Sequence, residues 1–288
     1  MKISTEISSI SMLVGDEKAV ELIAKAGFDA WDFSMFDAAD NDRENHRLVF
    51  NSHPLSGGNY LAYARRLKQI GLDNGIVCNQ SHAPFPSWGL ESVPVLKRSI
   101  ECTAEAGGEI CIIHPNNNFS PEENAELYSA LLPFAKECGV KIATENMWNW
   151  NGEKDEAAPA ACSDPESFNA HLDAVNDPFF VACLDIGHAE MKGLGTNAEE
   201  MILALGSRLK ALHIHDNDGN TDGHMIPFDG NLNFEKFLRK LKNLDHQPPL
   251  SLELYMSKST MYRNAAPDSF VRRAAEAAKQ FEKLYNSI

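Results

Sequence analysis

Short apolar segments rich in β-branched residues recur along the chain, and amphipathic segments with helical spacing lie between them. This alternation predicts parallel strand–helix–strand units. The predicted strands lie near Ile3 and at 28–33, 75–82, 109–114, 140–146, 179–185, 209–215 and 249–255. Clear helical patterns lie at 17–27, 62–71, 124–139 and 233–243. Because no linker or low-complexity break interrupts the eight units, we expect one α/β domain over residues 1–288, a closed (β/α)8 barrel rather than a doubly wound sheet.

Three connections are longer than such units need, and they span 34–58, 147–165 and 216–231. All three follow predicted strands at their C-terminal ends, where barrel enzymes carry their working loops. The second contains Trp148 and Trp150. These two rings are equally compatible with a lid or sugar-stacking wall and with an aromatic pair that packs the loop onto the barrel.

The amino-acid composition disfavours some kinds of binding partner. The chain has 26 basic and 41 acidic residues and a formal net charge of −15, which disfavours binding to nucleic acid. The N-terminal residues lack a signal-peptide pattern, and no apolar run approaches the roughly 18 residues of a membrane helix, so we expect a cytoplasmic protein with no membrane association. The six cysteines have no CxxC spacing and mostly lie in apolar segments, which predicts reduced core residues.

Each predicted strand from the third onward ends in a residue that can bind a metal. These residues are His82, His114, Glu145, Asp185, His215 and Glu253. Strand alternation turns their bulky neighbours toward the helices and the terminal residues into the barrel. The outward neighbours would be Ile113, Thr144, Leu184, Ile214 and Leu252. We therefore expect the six terminal side chains to converge at one mouth.

A buried carboxylate must be paired, hydrogen-bonded or bound to a metal, because an isolated buried charge is costly. The neighbouring strand ends offer histidine rather than Arg or Lys, so a divalent cation resolves the imbalance. His213 lies one layer deeper than His215 and is left out of the predicted ligand set. The remaining histidines are expected to be solvated, and they are His46, His53, His171 and His246.

Seven ordered motifs, spread from about residue 75 to 256, carry a resemblance to a known family. They are SHAPF (81–85), IIHP (112–115), TEN (144–146), LDIGH (184–188), LHIHDND (212–218), DGHMIPFDGNLNF (222–234) and LELY (252–255). As a set they resemble the xylose isomerase-like TIM barrel family, which includes endonuclease IV and many sugar isomerases and epimerases. The resemblance implies a primary divalent ion held by Glu145, Asp185, His215 and Glu253. By similarity to endonuclease IV, His82 and His114 would bind a second ion that shares Glu145, and His188, Asp222 and His224 a third.

The nine candidate ligands are compatible with two reactions, sugar isomerisation and phosphodiester hydrolysis. A site of three carboxylates and one histidine suits Mn²⁺, Mg²⁺ or Co²⁺, whereas histidine-rich sites favour Zn²⁺, with one to three ions in all. The charge of the loops distinguishes the two reactions. An enzyme that acts on DNA needs Lys and Arg side chains around its active site to bind the phosphates. The segments 8–17 and 83–94, which follow the first and third strands, contain no Lys or Arg.

The leading hypothesis is therefore a metal-dependent isomerase or epimerase acting on a small carbohydrate, a polyol or a sugar phosphate. The resemblance implies that Glu145 and Glu253 remove and return a proton through an enediolate. Two alternatives stay open: a zinc-dependent phosphodiesterase that acts on abasic DNA, as endonuclease IV does, and a barrel that binds metal and sugar without turnover.

One departure from the family pattern bears on the substrate. Ketose 3-epimerases of the family carry a second glutamate six residues after the metal glutamate and an arginine six after the metal histidine, where this chain has Asn151 and Thr221. This disfavours 3-epimerisation of a free ketose and leaves inosose isomerisation, dehydration and related polyol chemistry open. A substrate phosphate could meet Lys192, Lys258 or Arg263. The oligomeric state stays open; by analogy, barrels of this kind often form dimers or tetramers, so a homo-oligomer is possible.

Overall fold

Eight parallel strands form a closed barrel in the computed structural model, which describes residues 2–259 and 261–288. The strands follow one another around the barrel in chain order, and the last pairs with the first. They are β1 Ile3–Glu6, β2 Ala30–Ser34, β3 Val77–His82, β4 Ile110–Ile112, β5 Lys141–Glu145, β6 Phe180–Asp185, β7 Leu209–Ile214 and β8 Leu250–Leu252. The predicted (β/α)8 barrel is confirmed, with strand ends displaced by a few residues from the sequence pattern.

Helices surround this barrel. They are α1 Ser8–Val14, α2 Asp16–Ala26, α3 Tyr60–Asp73, α4 Val93–Ala106, α5 Pro121–Cys138, α6 Pro165–Val175, α7 Ile186–Ala189, α8 Ala198–Leu205, α9 Phe234–Lys242 and α10 Pro267–Ser287. Local signals explain several of their ends. Ser120 and Glu123 form a capping box at the start of α5, and Gly139 ends that helix in the left-handed conformation. Within residues 2–259 and 261–288, no helix is both long enough and apolar enough to cross a bilayer.

Strand alternation divides the core into an outer and an inner part. Ile113, Leu184, Ile214 and Leu252 belong to the large core between the barrel and the helices, as predicted. Thr144 is also buried, and its hydroxyl lies 2.9 Å from the Tyr128 hydroxyl of α5. The barrel interior holds a separate small cluster made of Ile110, Ile112, Ala143, Val181, Cys183 and Ala211. Continuing this inward face by two residues reaches the polar strand ends, so the alternation itself aims them at the mouth.

The structure also tests the predictions that the cysteines are reduced core residues and that His171 is solvated. All six cysteines are free thiols, and Cys138 alone among them is partly exposed, which confirms the reduced core reading. The expectation that His171 is solvated was wrong. The His171 ring is buried between α6 and α5, where Nδ1 donates to the Ser167 carbonyl (2.8 Å) and Nε2 lies 3.2 Å from the Asn124 amide.

The three long connections rise from the C-terminal ends of β2, β5 and β7. The first contains an antiparallel hairpin of strands Ala39–Asp42 and Arg47–Phe50, here called the 39–50 hairpin. The second contains the 149–158 hairpin, formed by strands Asn149–Asn151 and Glu156–Ala158. The third is irregular apart from one antiparallel bridge between Asp216 and Met225.

A single buried carboxylate organises the third connection. The Asp216 Oδ1 atom accepts from the backbone N–H groups of Asn217 (2.9 Å) and Leu232 (3.0 Å). Its Oδ2 atom accepts from those of Phe228 and Gly230, both at 2.9 Å. Hydrogen bonds to a charged acceptor are stronger than neutral ones. Asp216 therefore fixes both ends of the loop over the barrel mouth.

We expect Asp216→Ala to lower the free energy of unfolding by about 3 kcal/mol, because it leaves four backbone N–H groups in and around a buried site without their acceptor. Urea denaturation followed by circular dichroism measures this change. Asp218→Ala is the matched control, since Asp218 is exposed and accepts only from its own turn. An equal loss in the two variants would contradict the role given to Asp216.

Candidate metal centre

Six of the nine predicted ligand residues line one cavity at the C-terminal mouth of the barrel, and they are His114, Glu145, His188, Asp222, His224 and Glu253. The cavity volume is about 680 Å³. Glu145, Asp185 and His215 are completely buried, and Asp222 is the most exposed of the nine although it is still largely covered. The side chains form overlapping groups whose ligand atoms lie within 4.8 Å of one another. Three of the four predicted primary ligands, Glu145, Asp185 and Glu253, form such a group with His213, whereas the fourth, His215, groups with His188, Asp222 and His224. The strand-end pattern thus brings distant segments of the chain to a common point.

One group joins the ends of β3, β4 and β5. The Nε2 atoms of His82 and His114 are 2.8 Å apart. They lie 3.6 Å and 3.3 Å from Glu145 Oε2. Burial lowers the pKa of His114 to about 4, so this ring is neutral near pH 7 and offers a lone pair.

A second group gathers around Asp222 in the loop after β7. Asp222 Oδ1 lies 3.5 Å from Nε2 of His188, 3.5 Å from Nε2 of His215 and 3.0 Å from Nε2 of His224. His215 also approaches the β6 carboxylate, with Nε2 3.1 Å from Asp185 Oδ1. His215 therefore lies between the predicted primary site and the predicted third site.

Backbone carbonyls orient four of the histidines. The Nδ1 atoms of His82, His188, His215 and His224 lie 2.8, 2.9, 3.2 and 3.0 Å from the carbonyl oxygens of Ala83, Asn146, Asp216 and Glu253, respectively. A proton on Nδ1 donates to such a carbonyl and leaves the Nε2 lone pair free. This is the arrangement that supports imidazole ligands of metals.

Several buried atoms at the centre have no hydrogen-bond partner within the described parts of the chain. They are Glu145 Oε1, Asp185 Oδ2, His215 Nε2 and Asp222 Oδ1. Burying a carboxylate oxygen or an imidazole nitrogen without a hydrogen-bond partner costs free energy. Glu145 and Asp185 belong to one group of close ligand atoms, and His215 and Asp222 belong to another. Divalent cations would satisfy acceptors of this kind, so the residues present fit metal ions.

The two glutamates at the centre have opposite electrostatic environments. Burial raises the pKa of Glu253 well above its usual range. Burial would also raise the pKa of Glu145, but His213, His114 and His82 hold it well below the ordinary value. Environments that separate the pKa values of two carboxyls are typical of acid–base pairs.

His213, which the sequence analysis excluded from the predicted ligand set, lies between the two glutamates. Its Nδ1 lies 3.1 Å from Glu145 Oε2 and 3.4 Å from Glu253 Oε2. Its Nε2 lies 3.6 Å from Asp32 Oδ2 on β2, and that carboxylate oxygen also accepts from Ser251 Oγ (2.8 Å). The signal was available, because His213 and His215 share the inward face of β7 and Asp32 interrupts an apolar strand.

The three cations suggested for a substrate phosphate lie in different settings. Lys258 donates to the Asp222 carbonyl (2.9 Å) and is 3.3 Å from its Oδ2 atom. Lys192 pairs with Glu156 at 3.2 Å on the 149–158 hairpin. Arg263 is exposed. Lys258 alone among the three lines the cavity, and there it already neutralises a candidate ligand.

Comparison with known proteins defines the class. Residues 20–284 match the model of the xylose isomerase-like TIM barrel family, and the chain belongs to that family. It is 27% identical to the uncharacterised protein MJ1311 of Methanocaldococcus jannaschii, over 82% of this chain and 78% of that protein.

Solved structures with the same fold include a D-tagatose 3-epimerase-like protein, with 22% identity, a TM-score of 0.72 and coverage of 100% of this chain and 99% of the other. The IOLI protein with a bound zinc atom has 19% identity, a TM-score of 0.72 and full coverage of both chains.

We expect Gly187→Ala to weaken metal binding by about 10–100-fold, the range seen when the support of a ligand is disturbed. A Cβ atom at Gly187 would overlap the buried His215 ring, which has no room to retreat. Competition with a chromogenic chelator measures the affinity. Gly152→Ala, where an added Cβ meets nothing within 4 Å, is the control. Unchanged affinity in Gly187→Ala would remove His215 from the ligand set.

Proposed function

We propose that this protein is a divalent-metal-dependent isomerase or epimerase that moves a proton on a small carbohydrate or polyol. The observation that carries the proposal is the pair of glutamates, Glu145 and Glu253, which line one cavity among histidine and carboxylate ligands. A D-tagatose 3-epimerase-like protein and D-psicose 3-epimerase share the fold. That likeness supports the choice of reaction class, while the roles of individual residues come from the site.

The proposed primary ligands are Glu145, Asp185, His215 and Glu253. The close approach of His215 to both Asp185 and Asp222 supports a centre in which the loop after β7 supplies further ligands or substrate contacts. When bound, a divalent ion would polarise substrate oxygens and acidify the hydrogen on the adjacent carbon. The carboxylate-rich primary set suits Mn²⁺, Mg²⁺ or Co²⁺, and the histidines around Asp222 suit Zn²⁺.

The protein groups would divide the proton transfer between them. Glu145, whose pKa lies well below the usual range, is the carboxylate that removes the proton from carbon. Glu253, the other glutamate that lines the cavity, returns a proton to the resulting enediolate. His213, within 3.4 Å of both, would hold the two carboxyls in their relative positions.

A phosphodiesterase remains the second candidate because of one observation. The ligand groups extend beyond a single ion site to His82 and His114 on one side and to His188 and His224 on the other. Multinuclear sites of this kind can clamp a phosphodiester. The acidic balance of the chain opposes a nucleic acid substrate.

We expect Glu253→Gln to reduce turnover by about 10²–10⁴-fold, the usual contribution of a positioned acid or base. Proton NMR measures it as the conversion of each substrate to its epimer or isomer in a panel of ketoses, inososes and sugar phosphates. Glu153→Gln, at an exposed position on the 149–158 hairpin, is the control. Full conversion by Glu253→Gln protein that retains its metal would refute the assignment, and a wild-type protein that binds sugar without exchanging its carbon-bound hydrogen in D2O would favour a non-catalytic barrel.

We expect elemental analysis to find about one Mn, Mg or Co ion per chain in protein purified without chelator or affinity-column nickel. His224→Ala should leave that ion in place, because His224 lies outside the proposed primary set. Two or three zinc ions per chain, with one lost in His224→Ala, would instead support the phosphodiesterase, and cleavage of an abasic-site duplex would then be the decisive assay.

A further inference from the structure

The cavity is larger than a single sugar ring requires. Taking the roughly 30 Å³ share of one liquid water molecule as an upper value per heavy atom, a twelve-atom hexose needs at most about 360 Å³. The cavity has a volume of about 680 Å³. The cavity therefore has room beyond a hexose placed at the metal centre, and the walls of that outer part determine what else can bind.

Two aromatic rings from the loop after β3 form one wall. The Phe85 ring lies 4.9 Å from the His114 ring and 5.2 Å edge-on from Phe36, yet it remains 40% exposed. The Trp88 ring is fixed by two contacts, since Nε1 donates to Asn41 Oδ1 (2.9 Å) and the ring stacks on His46 at 4.6 Å. Both rings line the cavity and offer preorganised apolar surface.

Asparagine side chains and Trp148 also line the cavity. The Asn117 amide donates to the Trp148 carbonyl (2.9 Å), which ties the loop after β4 to the loop after β5. The Asn149 amide donates to Asn118 Oδ1 (3.1 Å). These hydrogen bonds fix neutral amide groups in the wall of the cavity.

Few charged side chains line the outer part of the cavity. Among the described residues that line the cavity, the cationic side chains are Arg43 and Lys258. Lys258 is already paired with Asp222 at 3.3 Å, and Arg43 is exposed at the turn of the 39–50 hairpin. A wall of aromatic faces and amides suits an uncharged, polyhydroxylated ring, whose C–H face packs on an aromatic ring while its hydroxyls bond to amides.

We infer that the outer cavity is a subsite for a second sugar ring, and that the substrate is a disaccharide or another glycoside rather than a free monosaccharide. This inference rests on the proposed function for the ring that lies at the metal. Trp88 is a specificity-determining residue of the subsite, which is bounded by Phe85, Asn117 and Trp148.

The test compares ligands that share one ring. Isothermal titration calorimetry on the manganese-loaded protein measures the affinities of D-fructose, D-fructose 6-phosphate, and the keto-disaccharides lactulose and maltulose. We expect at least one disaccharide to bind about tenfold more tightly than fructose, since about 1.4 kcal/mol corresponds to a factor of ten. Trp88→Ala should abolish this preference and Trp88→Phe should retain part of it. Trp150→Ala is the matched control, because Trp150 is 43% exposed and its ring lies outside the cavity.

Three results would overturn the inference: no measurable binding of either disaccharide, fructose or its phosphate binding at least as tightly as both, or a preference that survives in folded Trp88→Ala. Hydrogen exchange in D2O on the same sugars separates this inference from the proposed function. A disaccharide preference without exchange into any sugar would refute the proton-transfer activity and leave the subsite standing. Exchange into fructose without a disaccharide preference would do the reverse.

Discussion

The concentration of buried charge at the barrel mouth is the constraint on which the rest of the structure depends. Glu145 and Asp185 are wholly inaccessible to solvent, and neither is paired with a lysine or arginine within the described residues. An ionised carboxylate in such a place must be compensated by histidines or by a cation. The imidazoles around them are held with Nε2 toward the centre, so the compensation that their geometry favours is a shared ion.

The scaffold holds these groups in place by short-range means. The small inward residues Ala143, Cys183 and Ala211 fill the barrel below the site, and the alternation of each strand then turns its last residue into the mouth. The loop after β7, which carries Asp222 and His224, is held at two places. The Glu253 carbonyl orients the His224 ring. Asp216 closes the loop on itself through four backbone hydrogen bonds. Site and scaffold are thus coupled through one non-ligand carboxylate.

The sequence predicted the barrel and the strand-end residues well, because both depend on local periodicity. Strand alternation aimed His114 and Glu145 at the mouth, and their separation of 3.3 Å follows from the closed topology. The relations that it did not predict depend on distant packing. His213 was set aside because a deeper inward position usually fills space, and its contact with both glutamates arises only when β2, β5, β7 and β8 close together. Likewise, the prediction that His171 is solvated was wrong because α5 covers that face of α6.

The cavity has an inner part at the candidate metal centre and an outer part of aromatic and amide side chains. The inner part bears on the proposed reaction and the outer part on the proposed substrate. The inner part contains the ionisable groups to which we assign the proposed proton transfer. The outer part is built of fixed aromatic rings and amides, which cannot take part in proton transfer but can position a neutral ring. Binding energy gained at a part of the substrate remote from the reacting carbon can hold that carbon between Glu145 and Glu253. The 39–50 and 149–158 hairpins contribute residues to the wall of the cavity, so contacts with a second ring there would help to position the first.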